Sequence, residues 1–330
     1  MSKELCLFLT VILFFSFSCE KDKTTNPDIN KPPIASFTIN PKSGTTDTVF
    51  NFDASGSSDT QDSIYALRVR WDWDNDGTYD TDWTTKKTAS HQFSTTGTKA
   101  VKLEVENTRW WRDAEIHSLV VDYSRCGIVT DIEGNTYQTM KIGDQCWMAE
   151  NLKVTHYRNG DPIPNFTENS EWIRRTTGAY CNYDNDDENV PVYGRLYNWY
   201  AVNDSRGIAP SGWHVPSDAE WQTLVDYLGG SSVAGGKMKT TGTIEGGDGL
   251  WYKPNSGATN ESGFSALPGG YRYGGNGCFD LLGSLAYFWS STEYSSSNAW
   301  SRSLHYSYSA VYRSYYLDKS DGFLLRCVRN

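Results

Sequence analysis

Positive charge is in deficit: 30 Lys and Arg stand against 40 Asp and Glu, a formal net charge of -10. That balance excludes the basic stripe needed by a nucleic-acid or anionic-membrane partner. Histidine is scarce. His91, His117, His156, His214 and His305 are scattered, and none opens a His-Glu-x-x-His helix. No Gly-x-Ser-x-Gly elbow presents a nucleophilic serine. The glycine-rich runs at 242–249 and 269–277 lack the strand before and the helix after that a phosphate loop requires. Long apolar runs are also missing: Leu5 to Phe17 is too short for an ordinary membrane span. No catalytic constellation or cofactor motif emerges, so the expectation is a non-enzymatic protein without cofactor.

Aromatics and glycine are what the chain has in plenty, with 13 Trp, 21 Tyr and 29 Gly. Short runs of these with Ser and Asn suit a loop-rich β protein, and equally a binding surface. The length of 330 residues suggests two domains of ordinary size.

The N-terminus reads as a targeting segment. Lys3 precedes the apolar run, which ends at Ser16-Phe17-Ser18 before Cys19. This resembles a bacterial lipoprotein signal over residues 1–18, with Cys19 as the lipidated first residue. Phe17 stands where a small or aliphatic residue is usual. Glu20-Lys21-Asp22-Lys23 resembles the charged surface-export signal of Bacteroidetes-type lipoproteins. The resemblance implies a chain that leaves the cytoplasm and is lipid-anchored to the outer membrane, exposed at the cell surface. Residues 19–33, polar and proline-bearing, then form a tether. Setting aside Cys6 and Cys19 leaves Cys126, Cys146, Cys181, Cys278 and Cys327, an odd set in a compartment that permits disulfides.

Residues 34–123 alternate as strands: 35–39, 49–52, 67–73, 100–105 and 116–121, with turn signals at Asn75-Asp76-Gly77 and Thr96-Gly97. Several short strands without a long helical pattern predict a β-sandwich. The run 52–59, then Arg70-Trp71-Asp72-Trp73-Asp74, His91-Gln92-Phe93 and Val101 to Val105 resemble a PKD domain, an immunoglobulin-like all-β module of extracellular proteins. The resemblance implies a spacer or accessory binder. Asp72, Asp74 and Asp76 with Gly77 match the start of an EF-hand calcium loop. The twelfth position is Trp83 rather than glutamate, so the favoured reading is a strand with Trp71 and Trp73 inward, Asp72 and Asp74 outward, and an Asp-Gly turn.

The clearest helix begins after Ser217. Ser217 is a good N-cap and Glu220 completes a capping box. Trp221, Leu224, Val225 and Leu228 make one apolar stripe, and Gly229-Gly230 ends it. This helix is the expected packing centre of the second domain. Around it lie Ile128 to Tyr137, Thr139 to Leu152, Tyr180 to Asp186, Tyr193 to Ala201, Gly263 to Arg272, Phe288 to Glu293 and Gly322 to Arg329. In this order they closely resemble the Fibrobacter succinogenes major paralogous domain, over residues 126–330. The resemblance implies an α+β fold, C-type-lectin-like or formylglycine-generating-enzyme-like, and no particular reaction. Many members carry cysteine where this chain has Ala209, so Cys327 has lost that partner or found another, such as Cys181 or Cys278. Cys126–Cys146 is the expected bridge; the other three stay open.

Several residues were candidates for chemistry. Cys278 and Cys327 could in principle serve a copper oxidase of the formylglycine-generating kind, but nothing around them resembles that site. His214, beside the helix N-terminus, reads as a packed histidine rather than a base. The acidic run Asp184 to Glu188 reads as a solvated loop before it reads as a calcium site. The Glu-Pro-Asn and Trp-Asn-Asp signatures of sugar-binding C-type lectins are absent.

The most suggestive stretch is 287–316, where Tyr, Trp and Arg interleave with Ser and Asn. Strand alternation lets one face pack while the other presents rings. Tyrosine gives broad amphipathic contact, and aromatic faces stack on sugars. Trp300, Arg302, Tyr306, Tyr312, Arg313 and Tyr315 are the expected ligand-binding residues. The expected partner is a glycan or an extracellular protein, with the first domain as spacer. The alternatives are a carbohydrate-active or oxidase-type enzyme on the same scaffold, and a structural or adhesion component.

Overall fold

The computed structural model describes residues 31–330. The expected signal segment at 1–18, the expected lipidation site Cys19 and most of the expected tether lie outside the described residues. Among those described, no helix is long and apolar enough to cross a membrane.

In the first domain, alternation in sequence becomes alternation in burial. Val49-Phe50-Asn51-Phe52-Asp53 runs exposed, buried, exposed, buried, exposed, as one half-buried strand face requires. Seven strands follow this logic: β1 (Thr38–Asn40), β2 (Ser43–Thr45), β3 (Val49–Asp53), β4 (Arg68–Asp72), β5 (Thr88–Gln92), β6 (Gly97–Glu106) and β7 (Arg112–Asp122). They form two sheets, β1-β3-β5 and β2-β7-β6-β4. Phe37, Phe52, Trp71, Trp73, Leu103 and Val105 fill the space between them. Trp71 and Trp73 stack with centroids 5.5 Å apart. Asp72 departs from expectation: instead of facing out it is fully buried. The following loop folds back over it, and the N–H groups of Asp76 and Gly77 donate to its carboxylate.

The second domain contains β8 (Ile128–Thr130), β9 (Thr136–Ile142), β10 (Gln145–Met148), β11 (Tyr180–Cys181), β12 (Leu196–Tyr197), β13 (Trp213–His214), β14 (Gly269–Arg272), β15 (Phe279–Leu282), β16 (Leu285–Glu293), β17 (Asn298–His305), β18 (Val311–Asp318) and β19 (Val328–Arg329). One sheet runs β13-β19-β10-β9-β8 and another β15-β14-β16-β17-β18, with β11-β12 as a separate pair. The longest helix here, Asp218–Tyr227, has ten residues, and the others have four or five. The domain is therefore mostly β, not the α+β expected. The glycine, serine and asparagine that punctuate the chain leave few windows long enough for a helix.

That helix matches its sequence signals. Ser217 caps it, the reciprocal bond from Glu220 is present, and Trp221, Leu224 and Val225 are buried. Gly229 and Gly230 both take positive φ, 97° and 94°, closing the helix as glycine can. Trp221 lies among Trp147, Phe264 and Phe288 at centroid distances of 4.8, 5.8 and 5.6 Å. Cys126 and Cys146 are disulfide-bonded, whereas Cys181 and Cys327 are buried free thiols and Cys278 an exposed one.

Among the described buried cationic side chains of this domain, Arg272, Arg326 and Lys239 have no carboxylate partner. Arg272 donates to Gly277 O, Phe166 O, Thr167 O and Asn169 Oδ1. Arg326 donates to Asn151 Oδ1, Met148 O, Phe264 O and Ser265 O. Lys239 Nζ donates to the carbonyls of Ser256, His305 and Tyr308, each at 3.0 Å. Burial pushes the Lys239 pKa down to about 8. The unfolded chain, near 10.5, therefore binds its proton more tightly than the folded one between those values. Stability from this group should rise as pH goes from 8 to 10.5 and be absent below 8, by up to roughly 3 kcal/mol. Urea titrations at pH 7.5 and 9.5 check this as a difference. The buried thiols of Cys181 and Cys327, raised from 9.0 to about 12, lose stability as pH rises in parent and variant alike. The parent should therefore gain stability relative to Lys239→Met across the interval.

Candidate ligand-binding site

The hairpin β16–β17 and its neighbour β18 build an aromatic platform at one side of the second sheet. β17 and β18 pair Ser301 with Ser314 but Ala299 with Leu317, so β18 carries one residue more between those pairs. Such a bulge breaks strict alternation and re-aims side chains. As a result the consecutive Tyr315 and Tyr316 are both exposed, 46% and 70%. Tyr294, in the hairpin loop, is 51% exposed. Its ring lies 4.6 Å from Tyr315 and 5.3 Å from Trp300, and Trp300 lies 5.5 Å from Tyr315.

Packing beneath the rings holds them in place. The Arg313 guanidinium sits 3.5 Å over Trp300. Arg313 also meets Asp218 with Nε at 3.0 Å and Nη2 at 2.7 Å, while Arg302 reaches the same carboxylate at 2.6 Å. Burial tends to raise the Asp218 pKa, yet the two guanidiniums outweigh it and hold the carboxyl below its ordinary value. The charged capping helix is thus tied to β17 and β18. On the loop side, the buried Lys319 ammonium bonds Glu293 and the Ser296 carbonyl, fixing the hairpin that carries Tyr294.

Of the six residues expected from sequence, Trp300, Arg313 and Tyr315 come together here. Arg302 does not reach the surface: it shares a face with Trp300 and Arg313, but at 1% exposure it is covered by the first turn of the helix, bonding both the carboxylate and the carbonyl of Asp218. Tyr306 is half-buried against Tyr252 beyond the strand end. Tyr312 is exposed, but it sits next to Arg313 on the strand and so faces the opposite side, beside Tyr308. Tyr294 and Tyr316 belong to the platform and were not singled out. The serine-rich run after Tyr294 signals a tight hairpin, but only the bulge brings Tyr316 outward.

Other candidate chemistry resolves differently. His214 Nε2 lies 2.8 Å from Glu220 Oε1, and Ser217 Oγ bonds Glu220 Oε2 at 2.8 Å. The carboxylate stands between serine and histidine, so the histidine cannot take the hydroxyl proton directly, and the trio serves the helix cap. Burial raises the thiol pKa of Cys181 and of Cys327 to about 12, which keeps both as thiols. In the acidic run, Asp186 Oδ1 accepts the Glu188 N–H and Asp187 Oδ1 accepts from Asn182, as in an ordinary solvated turn.

Among the described residues one set of carboxylates could hold a cation, Asp72, Asp74 and Asp80, with ligand atoms within 4.8 Å of one another. Such oxygens suit a hard ion. Backbone donors already occupy them, however: Asp76 and Gly77 on Asp72, and Trp73 on Asp80 at 2.7 Å. Asp76 itself is not in the group. A recess of about 290 Å³ lies beside Met140, Asn151, Val192 and Leu267.

No curated protein matches the chain. A solved structure of carbohydrate-binding modules from the beta-sandwich superfamily, described as having promiscuous specificity, is 23% identical over 41% of this chain and 52% of that one. Its TM-score of 0.26 is too low for the overlap to carry any argument about fold or ligand. The chain thus spans about half the length of that structure. Residues 30–116 match the PKD domain, and residues 140–329, more than half of the chain, match the Fibrobacter succinogenes major domain. With a PKD domain preceding it, the chain belongs to the Fibrobacter succinogenes major domain family.

Proposed function

We propose that this is a non-catalytic, surface-anchored lipoprotein whose C-terminal domain binds a glycan through the Tyr294–Trp300–Tyr315 platform. An extracellular protein is the other ligand class that such a surface would suit. The PKD domain acts as spacer between lipid anchor and ligand. The observation that carries this reading is the shared exposure of Tyr294, Tyr315 and Tyr316 around a Trp300 that a guanidinium braces from one side. Flat rings held rigid lose little entropy on binding, and pyranose C–H faces stack on them. Arg313 adds a donor at the rim that a sugar hydroxyl or carboxylate can accept from.

A glycan array probed with the full chain tests the proposal. Saturable binding is expected, with Tyr315→Ala weakening it by about tenfold, the loss of one good aromatic contact. Unchanged binding in the Tyr294→Ala, Tyr315→Ala double variant would remove the site. Turnover of the bound polysaccharide would favour the enzyme reading instead.

A further inference from the structure

The loop joining β6 to β7 puts tryptophan where a hairpin ordinarily takes glycine. Trp110 N–H donates to Asn107 O at 3.1 Å, and Asn107 N–H donates to Trp111 O at 3.0 Å. This is the pattern of a type I turn followed by one residue in the left-handed region. That residue is Trp110, with φ 68°, a costly conformation for a bulky side chain. The surroundings enforce it. Asn107, 2% exposed, accepts the N–H groups of Arg109 and Trp111 and donates to Asp59, each at 3.0 Å. Burial does not compensate, since Trp110 is 69% exposed and Trp111 46%. Glycine would make the same turn without strain.

Behind it, the outer face of β4, β6 and β7 carries a ladder of cations and rings. The Arg68 guanidinium lies 4.7 Å from the Trp110 ring, and Arg70 lies between Trp83 at 4.5 Å and Tyr79 at 3.6 Å. Arg112 is 5.2 Å from Trp83. Glu106 pairs with Arg68 and Arg112, and Glu104 with Arg70. With Lys102, 5.2 Å from the Tyr79 ring, four cations stand against Glu104, Glu106 and the Asp72 opposite Lys102, one positive charge in excess on a chain of net charge -10.

We propose that this face of the PKD domain is a second binding site, specific for an anionic polysaccharide with uronate-type carboxylates. Trp110 and Trp111 supply flat faces for pyranose rings. The guanidinium edges not engaged by Glu104 and Glu106 donate to the carboxylates, and Arg matches such planar acceptors better than Lys. The site is separate from the C-terminal platform and stands or falls without it.

Native gels of the full chain cast with polygalacturonate or with neutral dextran provide the test. Polygalacturonate should retard the chain, less so in high salt, and dextran should not. Trp110→Gly should weaken the interaction by about tenfold while the melting temperature stays at or above the parent's. Arg68→Gln should weaken it and reduce the salt dependence, and Trp300→Ala should leave it intact. The proposal is overturned if polygalacturonate does not retard the parent, if dextran retards it equally, or if Trp110→Gly binds like the parent. A lower melting temperature for Trp110→Gly, or a loss produced by Trp300→Ala alone, also overturns it.

Discussion

Arg326→Met should destabilise the C-terminal domain by roughly 3–5 kcal/mol. The guanidinium is fully buried with no carboxylate in contact, and burial pushes its pKa down to about 9, still charged at neutral pH. Three carbonyls and the Asn151 side chain are its acceptors. Its plane also lies 4.7 Å from the Phe264 ring. Methionine fills a similar volume and removes the cost of burying a charge, several kcal/mol. It takes the donor from three buried acceptors and a part-buried one, at about 1–3 kcal/mol for each buried group. The second term is the larger. Equilibrium urea unfolding checks the sign and size. A variant as stable as the parent would mean that water or relaxed backbone replaces the arginine.

Trp221→Ala is expected to cost about 3–5 kcal/mol, the range for truncating a buried aromatic. Trp221 is completely buried where the helix crosses the sheet, touching rings from β10, β16 and the segment at Phe264. Its indole N–H reaches the Trp289 carbonyl at 3.4 Å, a weak bond that adds little. The loss is therefore mainly of packing and transfer free energy, and it should appear as a lower urea midpoint with an unchanged slope. Trp300→Ala, at the half-buried platform, is the contrast and should cost far less. Equal costs for the two would mean that the helix is not the centre of the core.

How much of this was legible in sequence depends on the range of the interactions involved. The capping box at Ser217 and Glu220, the stripe of Trp221, Leu224 and Val225, and the glycines that end the helix are local, and the structure places them as read. The alternation of Phe50 and Phe52 is local too. Asp72 could not be read as buried, because the loop that supplies its donors folds back only in three dimensions. The balance of helix and strand in the second domain was misjudged for a related reason. Strands as short as β13 and β19 exist only through partners far away in the chain. At the platform, interleaved Tyr, Trp and Arg marked the right strands. One extra residue in β18 and the alternation of β17 then decided which rings face solvent. Arg302, on the same face as Trp300, is instead hidden by the Asp218 end of the helix, a contact 84 positions away in the chain.

β19 lies between β10 and β13 in its sheet, and Arg326 just before it binds Asn151, 175 positions upstream. A ribosome therefore releases the keystone after nearly everything it locks. Until then the upstream segments have no central rung to zip onto, and loop closure over so long a contour is slow. The sheet of the second domain therefore closes only once β19 has been made.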